Sequence, residues 1–245
     1  MSLMATLFPE KWAGLLRIYR LWLEDHLKRP IPADWVGRLM DADARLAASA
    51  FRNPVYRCVE IGCGAAIPAI VAARLGAKEV IAFDVSAEMV RLARRMAIYA
   101  GAEVHPLCRD FDDFQLPGGT EWMWIAVKPR DNAARGNLLE RILEKGIRMK
   151  TSLALVPAFG PGTGIVNYRS GCDQAVNRLR SCGYTVRVER LAADFPLRGI
   201  VAQPLAAGGG ESRQSRPGET PGGLMRTPRS LSARCPKTAA ARPRP

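Results

Sequence analysis

The stretch Val59-Glu60-Ile61-Gly62-Cys63-Gly64-Ala65-Ala66-Ile67 sets two glycines two positions apart, with an acid two residues before the first. Glycine lacks the Cβ atom that would hold a ligand away from the main chain, so this spacing suits a tight turn that a ligand approaches closely. Asp84 stands twenty residues beyond Gly64. A carboxylate at that distance from a glycine turn can accept hydrogen bonds from both hydroxyls of a ribose. Asp110, followed by Phe111, adds an acid for the amino group of adenine and a ring to pack on the base. Turn, ribose acid and base-contacting acid, in that order, describe a nucleoside site. Each member also has a plainer reading. The glycines suit any sharp turn, Asp84 suits the charge at a helix N-terminus, and Asp110 neighbours the loop acids Asp112 and Asp113.

The elements that must position these residues follow from the pattern of apolar positions. Trp12, Leu15, Leu16, Tyr19, Leu23 and Leu27 recur at helical spacing within 9–28, with Pro9 in the first turn. Pro30 and Pro32 end that helix. A second helix is expected from Asp34 to about Ala50, with Trp35, Leu39 and Leu46 facing inward. Beyond Asn53-Pro54, short apolar runs alternate with helical segments. Strands are expected at Arg57–Ile61, Glu79–Phe83, Glu103–Cys108, Trp122–Val127, Ser152–Pro157, Tyr184–Glu189 and Gly199–Gln203. Helices are expected at Ala66–Leu75, from Ser86 to Tyr99, at Ala133–Lys145 and at Asp173–Ser181. Strict alternation implies a mostly parallel sheet covered on both faces. Only Arg190–Arg198 separates the last two strands, too few residues for a helical crossover, so they should pair as an antiparallel hairpin. The fold class is thus α/β, a seven-stranded Rossmann-like sheet closed by that hairpin, with a helical N-terminal cap.

The glycine turn therefore joins the first strand of the sheet to its first helix, where open α/β sheets bind ligands. A dinucleotide needs a small residue three positions after the second glycine, and this chain has Ile67 there, followed by Pro68. Pro68 also removes a backbone N–H from the helix start, and Glu60 would repel a diphosphate. A cationic amino-acid moiety suits Glu60 better. These features favour S-adenosylmethionine over a nicotinamide dinucleotide.

Val59–Ile70 resembles motif I of the class I S-adenosylmethionine-dependent methyltransferases, with Glu60, Gly62, Gly64 and Ala66 in the motif positions. Val80–Ser86 resembles the second motif of that family, with Asp84 as its ribose acid and Val85 beside it. Arg109–Phe111 resembles its adenine-contacting segment. The resemblance spans about Val55–Pro204. It implies that S-adenosylmethionine is the cofactor and that methyl transfer is the reaction, and says little of the acceptor.

At the end of the fourth strand many family members carry an acid or an Asn-Pro-Pro-aromatic run. This chain reads Val127-Lys128-Pro129-Arg130-Asp131-Asn132 instead. Lys128 and Arg130 are candidate ligands for an anionic substrate, and Lys128 and Asn132 are the candidates for a catalytic role. A solvated loop is the plainer reading of all three. Trp12 and Tyr19 on the N-terminal helix are candidate substrate contacts, although their helical spacing equally suits core packing. His26 and His105, the only histidines, are read as structural. No two of the six cysteines have C-x-x-C spacing, so no metal site is expected.

Length and charge bound the rest. A chain of 245 residues allows one large domain or two small ones. Its 48% hydrophobic content is enough for a core. The longest apolar run, Ala65–Ala73, is too short for a membrane span, and the N-terminus lacks the long apolar stretch of a secretory signal. A cytoplasmic protein with no membrane partner is expected. The net charge of +13 is uneven: residues 206–245 hold eight basic and two acidic residues with six Gly and six Pro, and are read as a disordered basic tail. The expected division is 1–54 helical cap, 55–205 cofactor-binding domain, 206–245 tail. The function expected is methyl transfer to an unidentified O or N acceptor, with an anionic small molecule favoured. Two alternatives stand: transfer of another group from the same cofactor, and a non-catalytic module that binds nucleic acid, for which the tail would serve.

Overall fold

The computed structural model describes residues 2–51, 55–127, 138–157, 165–192 and 195–205. The expectations for Lys128, Arg130, Asn132 and the tail 206–245 lie outside the described residues. The elements are α1 (Leu3–Leu7), α2 (Trp12–Leu27), α3 (Ala33–Ala50), β1 (Arg57–Ile61), α4 (Ile67–Arg74), β2 (Glu79–Asp84), α5 (Ala87–Ala100), β3 (His105–Cys108), β4 (Trp122–Val127), α6 (Leu138–Arg148), β5 (Ser152–Pro157), α7 (Ile165–Ser181), β6 (Tyr184–Ala192) and β7 (Phe195–Pro204).

The strands form one sheet in the order β3-β2-β1-β4-β5-β7-β6. The first five are parallel; β7 runs antiparallel to β5, and β6 antiparallel to β7 at the edge. The order reverses between β1 and β4, so a crevice opens at their carboxyl ends. Period-two alternation sorts the side chains to the two faces. Cys58, Val80, Ala82, Trp122, Trp124, Ala154 and Val201 join the core on one face, shared with α1–α5. Val59, Ile61, Ile81, Phe83, Met123, Ile125, Leu155 and Ile200 join the core on the other, with side chains of α6 and α7.

Helix α4 is buried from Ile67 through Ala72. A helix that is apolar all round must be covered on every side, and α3 supplies the outer cover, packing on α4 and on the β5, β6 and β7 side of the sheet. Residues 1–205 accordingly form one compact unit. Helix α5 begins at Ser86, whose hydroxyl accepts from the Met89 N–H, and ends at Gly101 in the left-handed conformation. Helix α2 packs antiparallel on α5: the Lys11 ammonium donates to the Ala100 carbonyl at one end, and the Trp22 indole N–H donates to Glu88 at the other.

Several boundaries differ from expectation. A short helix, α1, precedes Pro9, capped by Ser2 at its N-terminus, so Pro9 lies in the turn between α1 and α2. Helix α2 starts at Trp12. The inward stripe of α3 runs through Val36, Met40 and Ala47, while Trp35 and Leu39 are half-buried. Strand β3 begins only at His105, and its Pro106 is tolerated because β3 lies at the sheet edge. Helix α7 starts at Ile165, earlier than Asp173, and the β6–β7 hairpin extends well beyond its apolar centre.

Candidate cofactor site

The site forms where β1 meets α4. Gly62 has φ +71° and Gly64 φ +49°, both left-handed. The two glycines are required for different reasons. A Cβ on Gly62 would lie 2.3 Å from the Ala126 carbonyl oxygen of β4, so Gly62 lets the turn press on the neighbouring strand. A Cβ on Gly64 would meet nothing within 4 Å. Gly64 therefore borders open space, the side on which a ligand can approach. Ala66, at the mouth of α4, also adopts a left-handed conformation at φ 55°.

Hydrogen bonds fix this turn from the adjacent strand. The N–H groups of Gly62 and Cys63 both donate to the Phe83 carbonyl of β2, at 2.9 and 3.0 Å. The Gly64 N–H donates to Asp84 Oδ2 at 3.2 Å, and the Ser86 N–H donates to Asp84 Oδ1 at 2.9 Å. Asp84 thus ties the glycine turn to the start of α5 and is held at the crevice. Glu60 Oε2 accepts from the Ala69 N–H at 3.0 Å and so caps the first turn of α4. With Pro68 lacking an N–H and the Ala69 N–H taken by Glu60, this helix start loses two of the donors a diphosphate would use.

The electrostatics point the same way. Glu60 is 1% exposed. Burial pushes its carboxyl well above the usual carboxylate range; the Ala69 N–H opposes the shift, and Asp43 and Asp84 add to it. Burial likewise pushes the Asp43 carboxyl up to about 7. Asp43 of α3 and Asp84 of β2 thus both act on the buried Glu60 of β1. A cation placed among them would relieve the repulsion. Cys63 lies in the turn itself, but burial and the neighbouring Glu60 raise its thiol, which stays protonated and is a poor nucleophile.

The remaining candidates divide. Val85, 52% exposed, follows Asp84 on the open side. Asp110 is half-buried, and its Oδ1 accepts from the Asp112 N–H at 3.0 Å. Phe111 is buried in the core beyond β3, with the Lys145 ammonium 5.2 Å from its ring centre. Trp12 lies over Gly37 of α3, within the helical layer. Tyr19 is half-buried, stacks on Trp22 with ring centres 6.3 Å apart, and has its hydroxyl raised by burial and by Asp43. Tyr19 and Asp43 therefore belong to one neighbourhood with Glu60, whereas Trp12 packs elsewhere.

Asp43 is the residue that sequence reasoning passed over. Val36, Met40, Ala47 and Ala50 are all fully buried on α3, and position 43 falls on the same stripe. A carboxylate inside an apolar helical stripe is the signal that would have found it. Among the described residues no group of His, Cys, Asp and Glu is arranged to hold a metal ion, and no helix is long and apolar enough to cross a membrane.

Residues 58–143, from β1 into α6, match the family model described as a methyltransferase domain. Among solved structures, the chain is similar to a precorrin-6y C5,15-methyltransferase from Geobacter metallireducens, with a TM-score of 0.51 and 18% identity over 66% of this chain and 87% of that one. It is also similar to a ribosomal protein L11 methylase from Lactobacillus delbrueckii subsp. bulgaricus (TM-score 0.49, 17% identity, 69% and 79% covered). A third similar structure is the tRNA (m1A58) methyltransferase TrmI from Aquifex aeolicus (0.49, 15%, 66% and 69%). No curated protein matches the chain. At 18% identity the likeness to the Geobacter metallireducens enzyme speaks for the fold alone, and the segment 58–143 contains the glycine turn, Asp84 and Asp110. Residues 58–143 are thus similar to a methyltransferase domain, and the chain has a Rossmann-like methyltransferase fold.

Proposed function

We propose that the protein binds S-adenosylmethionine and transfers its methyl group to an O or N acceptor by direct displacement. The observation that carries this reading is the left-handed glycine turn, open at Gly64 and tied by the Gly64 N–H to Asp84, with the carboxyls of Glu60 and Asp43 raised by burial. A ligand that is both a nucleoside and a cation fits that setting. Asp84 is the group to hold the ribose hydroxyls, and its two backbone donors keep the carboxylate aimed at the crevice. Glu60 and Asp43 favour positive charge at the other end of the ligand. Val85, Asp110 and Phe111 follow β2 and β3 on the side assigned to the adenine, and Gly62, Gly64 and Ala66 shape the backbone that the ligand passes.

When bound, this cofactor supplies a methyl group already activated on a sulfonium. The chain's own task is then to align the acceptor, since proximity and orientation supply most of the acceleration in a displacement of this kind. A general base is needed only for an acceptor that carries its proton at working pH. Lys128 and Arg130 are assigned to an anionic acceptor and Asn132 to its nucleophile. In support, the strand they follow ends against Gly62, through the Ala126 carbonyl. Tyr19 is placed as an acceptor contact from α2. A small anionic acceptor in the cytoplasm is the reading these cations favour.

Calorimetric titration with S-adenosylmethionine and with S-adenosylhomocysteine tests the proposal. Wild type should bind both, and Asp84→Ala should lose at least about tenfold in affinity, or about 1.4 kcal/mol. Negligible binding of both ligands by wild type would end it.

A further inference from the structure

The outer surface of the α2–α5 pair carries a furrow of about 630 Å³, open to solvent along α5 and away from the glycine turn. Its apolar lining includes Leu21, Ile98 and Tyr99, exposed at 46%, 74% and 43%. Four guanidinium groups flank that lining, Arg17 from α2 and Arg91, Arg94 and Arg95 from α5. None of the four has an ion pair among the described residues. Arg94 donates only to the Pro106 carbonyl, at 3.4 Å. On α2 the neighbouring Arg20, by contrast, pairs with Glu24. Exposed apolar side chains rimmed by unpaired charge of one sign mark an interaction surface.

The charge decides what can sit there. A second copy of the chain, docked by the same face, would set four arginines against four more, a juxtaposition that costs several kcal/mol. The chain's own segment 206–245 carries eight basic and two acidic residues and is repelled as well. The occupant is therefore acidic and comes from another molecule. A nucleic-acid strand would use the arginines and stack on Tyr99, yet leave Ile98 and Leu21 facing water. A bilayer takes up apolar side chains that project from a convex face, whereas these line a furrow. An amphipathic helix with acidic flanks uses both features at once. Arg91 to Ile98 spans about 10 Å at 1.5 Å per residue, which matches two turns of such a helix.

We propose that the α2–α5 furrow docks an acidic amphipathic helix of a partner protein, its apolar stripe on Leu21, Ile98 and Tyr99 and its carboxylates on the four arginines. The proposal does not rest on the methyl-transfer reading. The test is fluorescence anisotropy on the full chain with a labelled peptide of about 14 residues, leucines at helical spacing and glutamates on both flanks. The probes beside it are a scramble of the same composition, a single-stranded oligouridylate and phosphatidylserine vesicles. The amphipathic peptide should bind at least about tenfold tighter than its scramble. Ile98→Ser should weaken it about fivefold or more, and Arg91→Glu with Arg95→Glu should abolish it. Both variants retain residues 206–245, so any charge attraction to that segment cancels in the comparison. Three results would each overturn the proposal: equal binding of peptide and scramble, no loss on Ile98→Ser, or no peptide binding up to about millimolar concentration. Oligouridylate or vesicles that bind more tightly than the peptide, with no effect of Ile98→Ser, would reassign the surface to nucleic acid or lipid and overturn it too.

Discussion

Alanine at each glycine of the turn should produce opposite phenotypes. Both glycines are left-handed, and an alanine there costs about 1–2 kcal/mol in backbone strain. Ala66, at φ 55° in the same turn, shows that this segment accommodates that strain. At Gly64 the strain is the whole cost, because the new Cβ meets nothing within 4 Å. At Gly62 the Cβ would stand 2.3 Å from a main-chain oxygen of β4, which cannot swing aside as a side-chain tip would. Forcing the strands to shift adds about 1–3 kcal/mol. Gly62→Ala should therefore lose about 2–5 kcal/mol, and Gly64→Ala about 1–2. For a unit of this size the melting temperature falls about 2–4 °C per kcal/mol. Gly62→Ala should melt roughly 4–20 °C lower and Gly64→Ala about 2–8 °C lower. Cofactor affinity should run the other way in the folded variants, with Gly64→Ala losing at least about tenfold because its methyl fills the ligand's side of the turn. Urea titration and calorimetry at a temperature where both variants are folded supply the two readings. Gly64→Ala binding S-adenosylmethionine as wild type does would refute the assignment of the open side. Equal stability of the two variants would refute the packing argument.

Other expectations follow from the same geometry. Glu60→Ala should lose about 1–3 kcal/mol of stability by stranding the buried Ala69 N–H, whereas Glu60→Gln keeps an acceptor oxygen, stays near wild-type stability in urea and weakens cofactor binding. Ser86→Ala should cost about 1 kcal/mol through the lost N-cap of α5, read from its melting temperature. Burial pushes the folded-state pKa of Asp43 up to about 7, above its value in the unfolded chain, so the native state binds the extra proton; the Asp43 contribution to stability should be greatest below about pH 4 and be lost as pH rises through about 7. Melting curves across that range should show the slope in wild type and its reduction in Asp43→Asn. Cofactor binding at pH 7 should release up to about half a proton from Asp43, seen as a buffer-dependent binding enthalpy, and S-adenosylhomocysteine, which lacks the sulfonium charge, should release less.

The sheet was legible because each strand announces itself by a short apolar run with turn residues on both sides. Arg57–Ile61, Trp122–Val127 and Ser152–Pro157 fall where the pattern puts them. Ser86 and Gly101 bound α5 through side-chain and backbone chemistry that can be read locally. The glycine turn was legible for the same reason, since glycine and proline each carry a geometric meaning at one position. What could not be read was set by distant partners. The start of α7 at Ile165 is an exception, because the run Gly160-Pro161-Gly162-Thr163-Gly164 before it is a local signal. Glu60 looked like a ligand group, yet its carboxylate also caps α4, a bond to a residue nine positions on. The different demands on Gly62 and Gly64 depend on where β4 lies, and Lys128, Arg130 and Asn132 are still known only as residues that follow that strand.

The N-terminal helices connect these observations. The run Ala65–Ala73 is apolar because α4 is enclosed, by the sheet beneath and by α3 above. Enclosure places the middle of α3 close to the start of α4, where Glu60 caps the helix. Asp43 reaches that neighbourhood as a consequence of the packing, and its charge then acts on Glu60. The helical N-terminal segment thus does two things at once: it completes the core around α4 and adds a carboxyl that acts on Glu60. A change on α3 that alters its seating, such as enlargement at Met40 or Ala47, both fully buried, should therefore disturb stability and cofactor affinity together, whereas a change confined to Asp43 should separate them.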